Sequence, residues 1–151
     1  MFMKKIEIKN LNEFFATLKL NAFSKETRSV IIKNHLKISK AVKEIDESIE
    51  EIRKKLVDEN QDAVQKLVTY REKFNTASEE EKPKIINSII NECQDGLKVE
   101  LELTELVNDL LNESIDLDLI KLDREIFADE CANSNLDFTL SDLDRINSLF
   151  N

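Results

Sequence analysis

The 151-residue chain predicts a mainly α protein with a small β element, an α+β fold. It combines a long helical hairpin or coiled-coil-like helix with a short mixed sheet built from the terminal segments. Three observations carry this expectation. Apolar positions recur at Ile31, His35, Ile38, Val42, Ile45, Ile49, Ile52 and Leu56, alternating steps of four and three, with only His35 departing from apolar character. That is a heptad seam, and its narrow stripe needs another helix against it, from this chain or from a second copy. Near both ends the pattern changes to strict alternation of apolar and charged residues, the signature of half-buried strands. Finally, one glycine and one proline in the whole chain exclude a turn-rich β sandwich and any glycine-rich phosphate-binding loop.

Taken in order, residues 3–9 alternate and predict a short strand with Ile6 and Ile8 on one face. Asn10 or Asn12 would then cap a short helix presenting Leu11, Phe14, Phe15 and Leu18. Asn21-Ala22-Phe23 breaks the pattern, and Ser24 opens the long helix, about 50 Å from end to end at 1.5 Å per residue. Glu50 with Lys54, and Glu51 with Lys55, have the favourable order for pairs one turn apart. The seam frame fails beyond Leu56 and resumes, shifted, at Ala63, Leu67, Tyr70 and Phe74. The polar run 58–62 is therefore either a stutter in one helix or the bend of a hairpin, and its capping residues favour the bend. Ser78-Glu79-Glu80-Glu81 reads as a capping box, Pro83 as a first-turn residue, and Ile85, Ile86, Ile89, Ile90 and Cys93 as the apolar stripe of a helix that Gly96 closes.

After Gly96 the period becomes two: Leu97, Val99, Leu101 and Leu103 predict a strand. A short helix with Leu106, Val107, Leu110 and Leu111 follows. Ile115, Leu117 and Leu119 predict another strand, Leu136-Asp137-Phe138 a third, and Ser141 caps a final helix carrying Leu143, Ile146, Leu149 and Phe150. The expected organisation is one domain over 1–151, with a helical part at 24–96 and an acidic part at 97–151.

Charge follows the same division. Residues 1–56 hold 13 basic and 8 acidic side chains, 57–98 hold 6 and 9, and 99–151 hold 3 and 14, summing to −9. This asymmetry suits steering of a partner or attraction between opposite ends of two copies. A globally acidic chain is unsuited to binding nucleic acid through bulk charge. Arg28, Lys33, Lys37 and Lys40 form a basic ridge, but it lacks interleaved aromatics.

No catalytic site is expected. His35 is the sole histidine, so a histidine metal cluster or a second imidazole base is excluded within one chain. In a seam position it is expected to pack and tune oligomer choice. Asp116 and Asp118 would share one strand side, yet no glycine-bearing calcium loop accompanies them. Cys93 lies on an apolar helix face, and Cys131 follows Asp129-Glu130, a setting that raises a thiol pKa. Both are expected as reduced thiols. There is no G-x-S-x-G elbow. Neither cofactor nor metal is expected, and no apolar segment approaches the 18 or so residues of a membrane span. The opening Met1-Phe2-Met3-Lys4-Lys5 lacks the apolar core of a signal peptide.

Three stretches resemble a group of small uncharacterised proteins encoded beside tail genes in phages and prophages of Gram-positive bacteria. They are Lys5-Ile6-Glu7-Ile8-Lys9-Asn10, Tyr70-Arg71-Glu72-Lys73-Phe74-Asn75, and the closing pair 115–122 and 136–143. The proline and glycine of that group's final strands are missing here. The resemblance implies a phage accessory protein, located in the host cytoplasm or on the virion, and it carries no site residues. The resulting expectation is a non-enzymatic protein that binds a phage structural or assembly protein, a host protein or itself as a homo-oligomer, using the Ile31–Leu56 seam in tail or virion assembly. The alternative is an acidic inhibitor, a nucleic-acid mimic or anti-defence protein. It would present Asp116, Asp118, Asp123, Asp129 and Glu130 to a basic site on a host enzyme.

Overall fold

The computed structural model describes residues 1–136 and 138–150. Among these the chain is mostly helical: β1 (Phe2–Lys4), α1 (Lys5–Thr17), a 3-10 turn (Leu20–Ala22), α2 (Lys25–Glu59), α3 (Gln61–Thr76), α4 (Lys82–Glu92), α5 (Gln94–Asn112), β2 (Ser114–Asp116), α6 (Arg124–Asn133), α7 (Leu140–Ile146) and a second 3-10 turn (Asn147–Leu149). It divides into two compact units, Met1–Asp46 with Leu111–Asn151, and Glu47–Leu110. The chain passes between the units twice, within α2 between Asp46 and Glu47 and within α5 between Leu110 and Leu111.

In the first unit the two strands form an antiparallel pair with Phe2 opposite Asp116, Met3 opposite Ile115 and Lys4 opposite Ser114. The Lys5 N–H donates to Glu113 O at 2.9 Å, and the Leu117 N–H to Met1 O at 2.9 Å. Terminal strands thus meet in one small sheet, as the alternation suggested, but both are shorter than expected. The strand expected over 3–9 ends at Lys4, and Ile6 and Ile8 are helical. Ile8, Leu11, Phe14 and Phe15 are buried at helical spacing, an apolar face that outweighs a few alternating residues. The Glu7 carboxylate accepts the Lys4 N–H at 2.8 Å and fixes the helix start.

α1 runs antiparallel to the first half of α2. Phe15 stacks on His35 (centroids 5.9 Å), Ser39 donates to Asn12 at 3.0 Å and Lys9 pairs with Asp46 at 2.5 Å. The seam's partner in this unit is therefore a helix of the same chain. Ser24 caps α2, its hydroxyl accepting the Thr27 N–H at 3.3 Å. Asn34 is fully buried and clasps the backbone of Ile120: its amide donates to Ile120 O and its oxygen accepts the Ile120 N–H, both at 2.8 Å. These two bonds satisfy a buried polar side chain and an irregular segment together.

The remaining core is aromatic. Phe23, Phe138 and Phe150 surround Phe127, with centroids 5.3, 6.2 and 5.3 Å away. Leu122 bridges to Phe150 in parallel, and Ile146 and Leu149 are fully buried. Thr139, rather than Ser141, caps α7: it accepts the Asp142 N–H at 3.1 Å, while Asp142 accepts the Thr139 N–H at 3.0 Å. Leu136 and Phe138 are not in a strand, and Asp137 lies outside the described residues. α6 ends through Asn135 at φ +49°, with Leu136 N–H returning to Cys131 O at 3.2 Å. A chain with one glycine uses asparagine for this left-handed position.

In the second unit α2 ends at Glu59. Asn60 leaves helical geometry (φ −133°, ψ 35°), and its side-chain amide donates to Leu56 O at 2.9 Å. The expected break within 58–62 is thus a single residue. α3 packs against α4. Ser78 and Glu81 make the turn between them, with the Glu81 carboxylate accepting from the Ser78 N–H at 3.2 Å and hydroxyl at 3.1 Å, and Pro83 sits in the first turn of α4. Cys93 separates α4 from α5.

The strand expected over 97–103 is the middle of α5. Leu97, Val99, Leu101 and Leu103 alternate with charged residues, yet leucine, lysine and glutamate are strong helix formers and the whole stretch is helical. Gly96 does not close α4; it lies buried in the first turn of α5 at a helix crossing. A Cβ there would stand 2.7 Å from Ala63 O and 3.0 Å from Leu67 Cβ. Its role is close approach of α5 to α3, not a positive φ.

Candidate functional site

The seam named from the sequence lies largely inside the fold. Ile31, Ile38 and Ile45 are buried in the first unit and Leu56 in the second, while His35, Val42, Ile49 and Ile52 are half-buried. The helix that the seam needs against it is, over its first half, α1 of the same chain, read from sequence as part strand. The acidic set is also engaged. Asp116 takes the terminal ammonium of Met1, and Asp118 pairs with Lys37, which holds its carboxyl below the usual range. Asp123 caps α6 by accepting the Ile126 N–H at 3.0 Å. Glu130 accepts the Ser24 N–H at 3.1 Å; burial pushes its pKa up, but the donors of Ser24 and Thr27 outweigh this and hold it low. Of the five, Asp129 alone is an exposed carboxylate without such a role in these contacts.

Among the described residues no group of three His, Cys, Asp or Glu side chains could hold a metal ion. Among the described residues no helix is long and apolar enough to cross a membrane. Both cysteines are buried free thiols, and burial, reinforced by Glu130, pushes Cys131 up to about 11.

What the sequence reading missed lies in the second unit. α4 carries Ile85, Ile86, Ile89 and Ile90, two adjacent pairs one turn apart, an arc wider than one neighbouring helix can cover. No residue of α4 is fully buried. Ile86 and Ile90 are 44% and 53% exposed, and Leu101, one turn beyond Leu97 on α5, is 61% exposed. Together Phe74, Ile86, Ile89, Ile90 and Leu97, with Arg71 at the edge, line a cavity of about 280 Å³.

The rim of this groove is ordered by polar pairs. Arg71 on α3 grips Glu100 on α5 through both guanidinium nitrogens, the second at 2.8 Å from Oε2, and this hydrogen bond raises the guanidinium pKa further. Tyr70 hydrogen-bonds Glu92, which raises the phenol pKa. The Lys82 ammonium stands 5.6 Å from the Phe74 ring centroid. These contacts join α3 to α4 and α5 at the groove edge without covering Ile86 or Ile90. Over residues 47–110 there are 16 acidic and 9 basic side chains, a net of −7. The sequence signal was the doubled isoleucine pairs, obscured because Leu97 and Leu101 were assigned to a strand.

Comparison with protein-family models, with curated proteins and with solved structures finds no match to this chain.

Proposed function

We propose that this chain is a non-enzymatic protein–protein interaction module whose docking face is the α3–α4–α5 groove, and whose ligand is a basic amphipathic helix. Exposed Ile86 and Ile90 lining a shallow, open apolar groove, with Leu101 one turn beyond its Leu97 wall, carry this reading. Contiguous uncovered apolar residues with a polar rim are the usual mark of a partner surface. Charge decides the partner's chemistry: a unit of net charge −7 repels an acidic helix and attracts one with lysine or arginine flanking its apolar stripe. The likeness to phage tail-associated accessory proteins supports a partner among phage structural or assembly proteins. The groove takes the place of the α2 seam, of which Ile31, Ile38, Ile45 and Leu56 are buried.

The test is calorimetric titration with a Leu/Lys amphipathic peptide of about five helical turns, and with its Leu/Glu counterpart. The basic peptide is expected to bind and the acidic one not, and Ile86→Glu with Ile90→Glu should abolish binding while circular dichroism stays unchanged. Equal binding of both peptides, or binding that survives the double variant, overturns the reading. The alternative of an acidic inhibitor of a basic site on a host enzyme would work through charge alone. Raising the salt to about 1 M shrinks the screening length to about 3 Å and would remove such a complex, whereas a groove-driven complex persists.

A further inference from the structure

The first unit holds a second cavity that the docking groove does not involve. We propose that it is a binding site for a small aryl or alkyl carboxylate. Its wall is one face of α6: Arg124, Phe127, Ala128 and Cys131 follow at steps of three, one and three. Phe138, Leu143 and Phe150 close the other sides and Asn147 stands at the mouth, enclosing about 280 Å³. That volume suits a ligand with about a dozen heavy atoms, at the small end of ligand sites.

The floor is built for an apolar or aromatic body. Phe127 packs against Phe138 at 6.2 Å with planes 25° apart and against Phe150 at 5.3 Å and 59°, and all three rings line the space. Cys131 adds a thiol that burial keeps protonated, an apolar surface with no charge to repel an anion. The polar end is Arg124. One guanidinium nitrogen donates to Asn147 Oδ1 at 2.8 Å, and the group lies 5.6 Å from the Phe150 ring centroid, two contacts that hold it in place.

Among the described residues Arg124 has no carboxylate partner, although the surrounding segment is rich in acids. Two of those acids are committed elsewhere: Asp123 caps α6, and Asp142 caps α7 and sits 3.6 Å from Arg145. A held guanidinium with donors to spare, at the open end of an aromatic slot, is the arrangement that recognises a carboxylate attached to an apolar group.

The probe is phenylbutyrate, with phenylbutanol as its uncharged counterpart, titrated into the full chain and followed by carbon–proton correlation NMR. The acid is expected to shift the Phe127, Phe138, Phe150 and Leu143 signals and to bind about tenfold more tightly than the alcohol. Arg124→Gln should bring the acid down to the alcohol, Arg124→Lys should restore part of the difference, and Ala128→Leu should block both compounds. Arg124 and Ala128 are exposed, so all three variants should retain the parent circular dichroism spectrum. Absence of shifts at these residues with either compound overturns the site. Equal affinity for acid and alcohol, unchanged in Arg124→Gln, overturns its carboxylate chemistry.

Discussion

The two units of this chain solve the same packing problem to different degrees. The first holds seven of the eight phenylalanines and leaves Ile8, Leu11, Ile38 and Leu149 with no exposed surface. The second has only Phe74, buries Leu56, Leu67, Cys93 and Val99, and exposes Val68 on α3, Ile86 and Ile90 on α4, and Leu101 and Leu106 on α5. Both are helical and both are rich in charge, so the difference lies in how many apolar faces find a neighbour. The first unit also exposes large apolar side chains, Phe2, Leu36 and Leu140 foremost, but its buried core is by far the larger. The second, with its groove lined by Phe74, Ile89 and Leu97, has few buried side chains to hold it and gains less from folding alone.

The largest expected effect tests the closed unit. Ile38→Ala should cost about 2–5 kcal/mol in urea unfolding followed by circular dichroism, because a fully buried side chain leaves a cavity that the neighbouring helix cannot fill. A loss below about 1 kcal/mol would mean that α1 does not close over α2 as described. Next is Asn34→Leu, similar in volume but unable to hydrogen-bond. It strands both the N–H and the carbonyl of Ile120, a cost of about 2 kcal/mol or more, at 1–3 for each buried unsatisfied group.

The open unit has one equally tight point. Gly96→Ala places a methyl 2.7 Å from the Ala63 carbonyl oxygen, backbone that has little room to yield, and should cost about 1–3 kcal/mol. Native-state hydrogen exchange should show faster exchange in α3 and α5, with α1 protected as before. Loss of protection across both units together would erase the distinction drawn between them.

Acid should act on the closed unit through Glu130, whose folded pKa is depressed. Its stabilising contribution is full above the unfolded value and is lost as pH falls through the lower folded value. The stability difference between wild type and Glu130→Gln should therefore be greatest near neutrality and shrink below about pH 4.3, the ordinary glutamate value. A difference that grows in acid would reverse the assigned sign.

How much of this contrast could be read from the sequence depended on range. The heptad steps from Ile31 to Leu56 identified α2 because eight positions keep the spacing, and the alternation over 115–119 located β2, although the strand covers only Ser114–Asp116. Alternation over 3–9 and 97–103 misled for one reason. A helix with apolar residues at i, i+2 and i+4 shows the same short string as a strand, and what decides is the neighbour. Phe14 and Phe15 extend the apolar face of α1 toward α2, and Gly96 lets α5 approach α3, facts about pairs of segments. The groove was illegible for the same cause: Ile85, Ile86, Ile89 and Ile90 were recognised as apolar, but which of them stays uncovered depends on where α3 and α5 lie. Asn34 gave no signal at all, since its partner, the backbone of Ile120, is 86 residues away.

The smallest expected effect on stability makes the sharpest comparison. Ile90→Ala removes the same atoms as Ile38→Ala, but from a side chain that is 53% exposed rather than buried. The change leaves no internal cavity and little lost burial, so unfolding should shift by about 0.5 kcal/mol or less. Binding of the basic peptide should fall at least several-fold, because truncating an apolar anchor at an interface is felt in the complex. Two chemically identical substitutions then separate the roles of the two units. Ile38→Ala lowers stability, while Ile90→Ala lowers affinity with the fold intact. If Ile90→Ala instead destabilises the chain by 2 kcal/mol or so, Ile90 belongs to a core, and the groove is a packing feature of the second unit rather than its docking face.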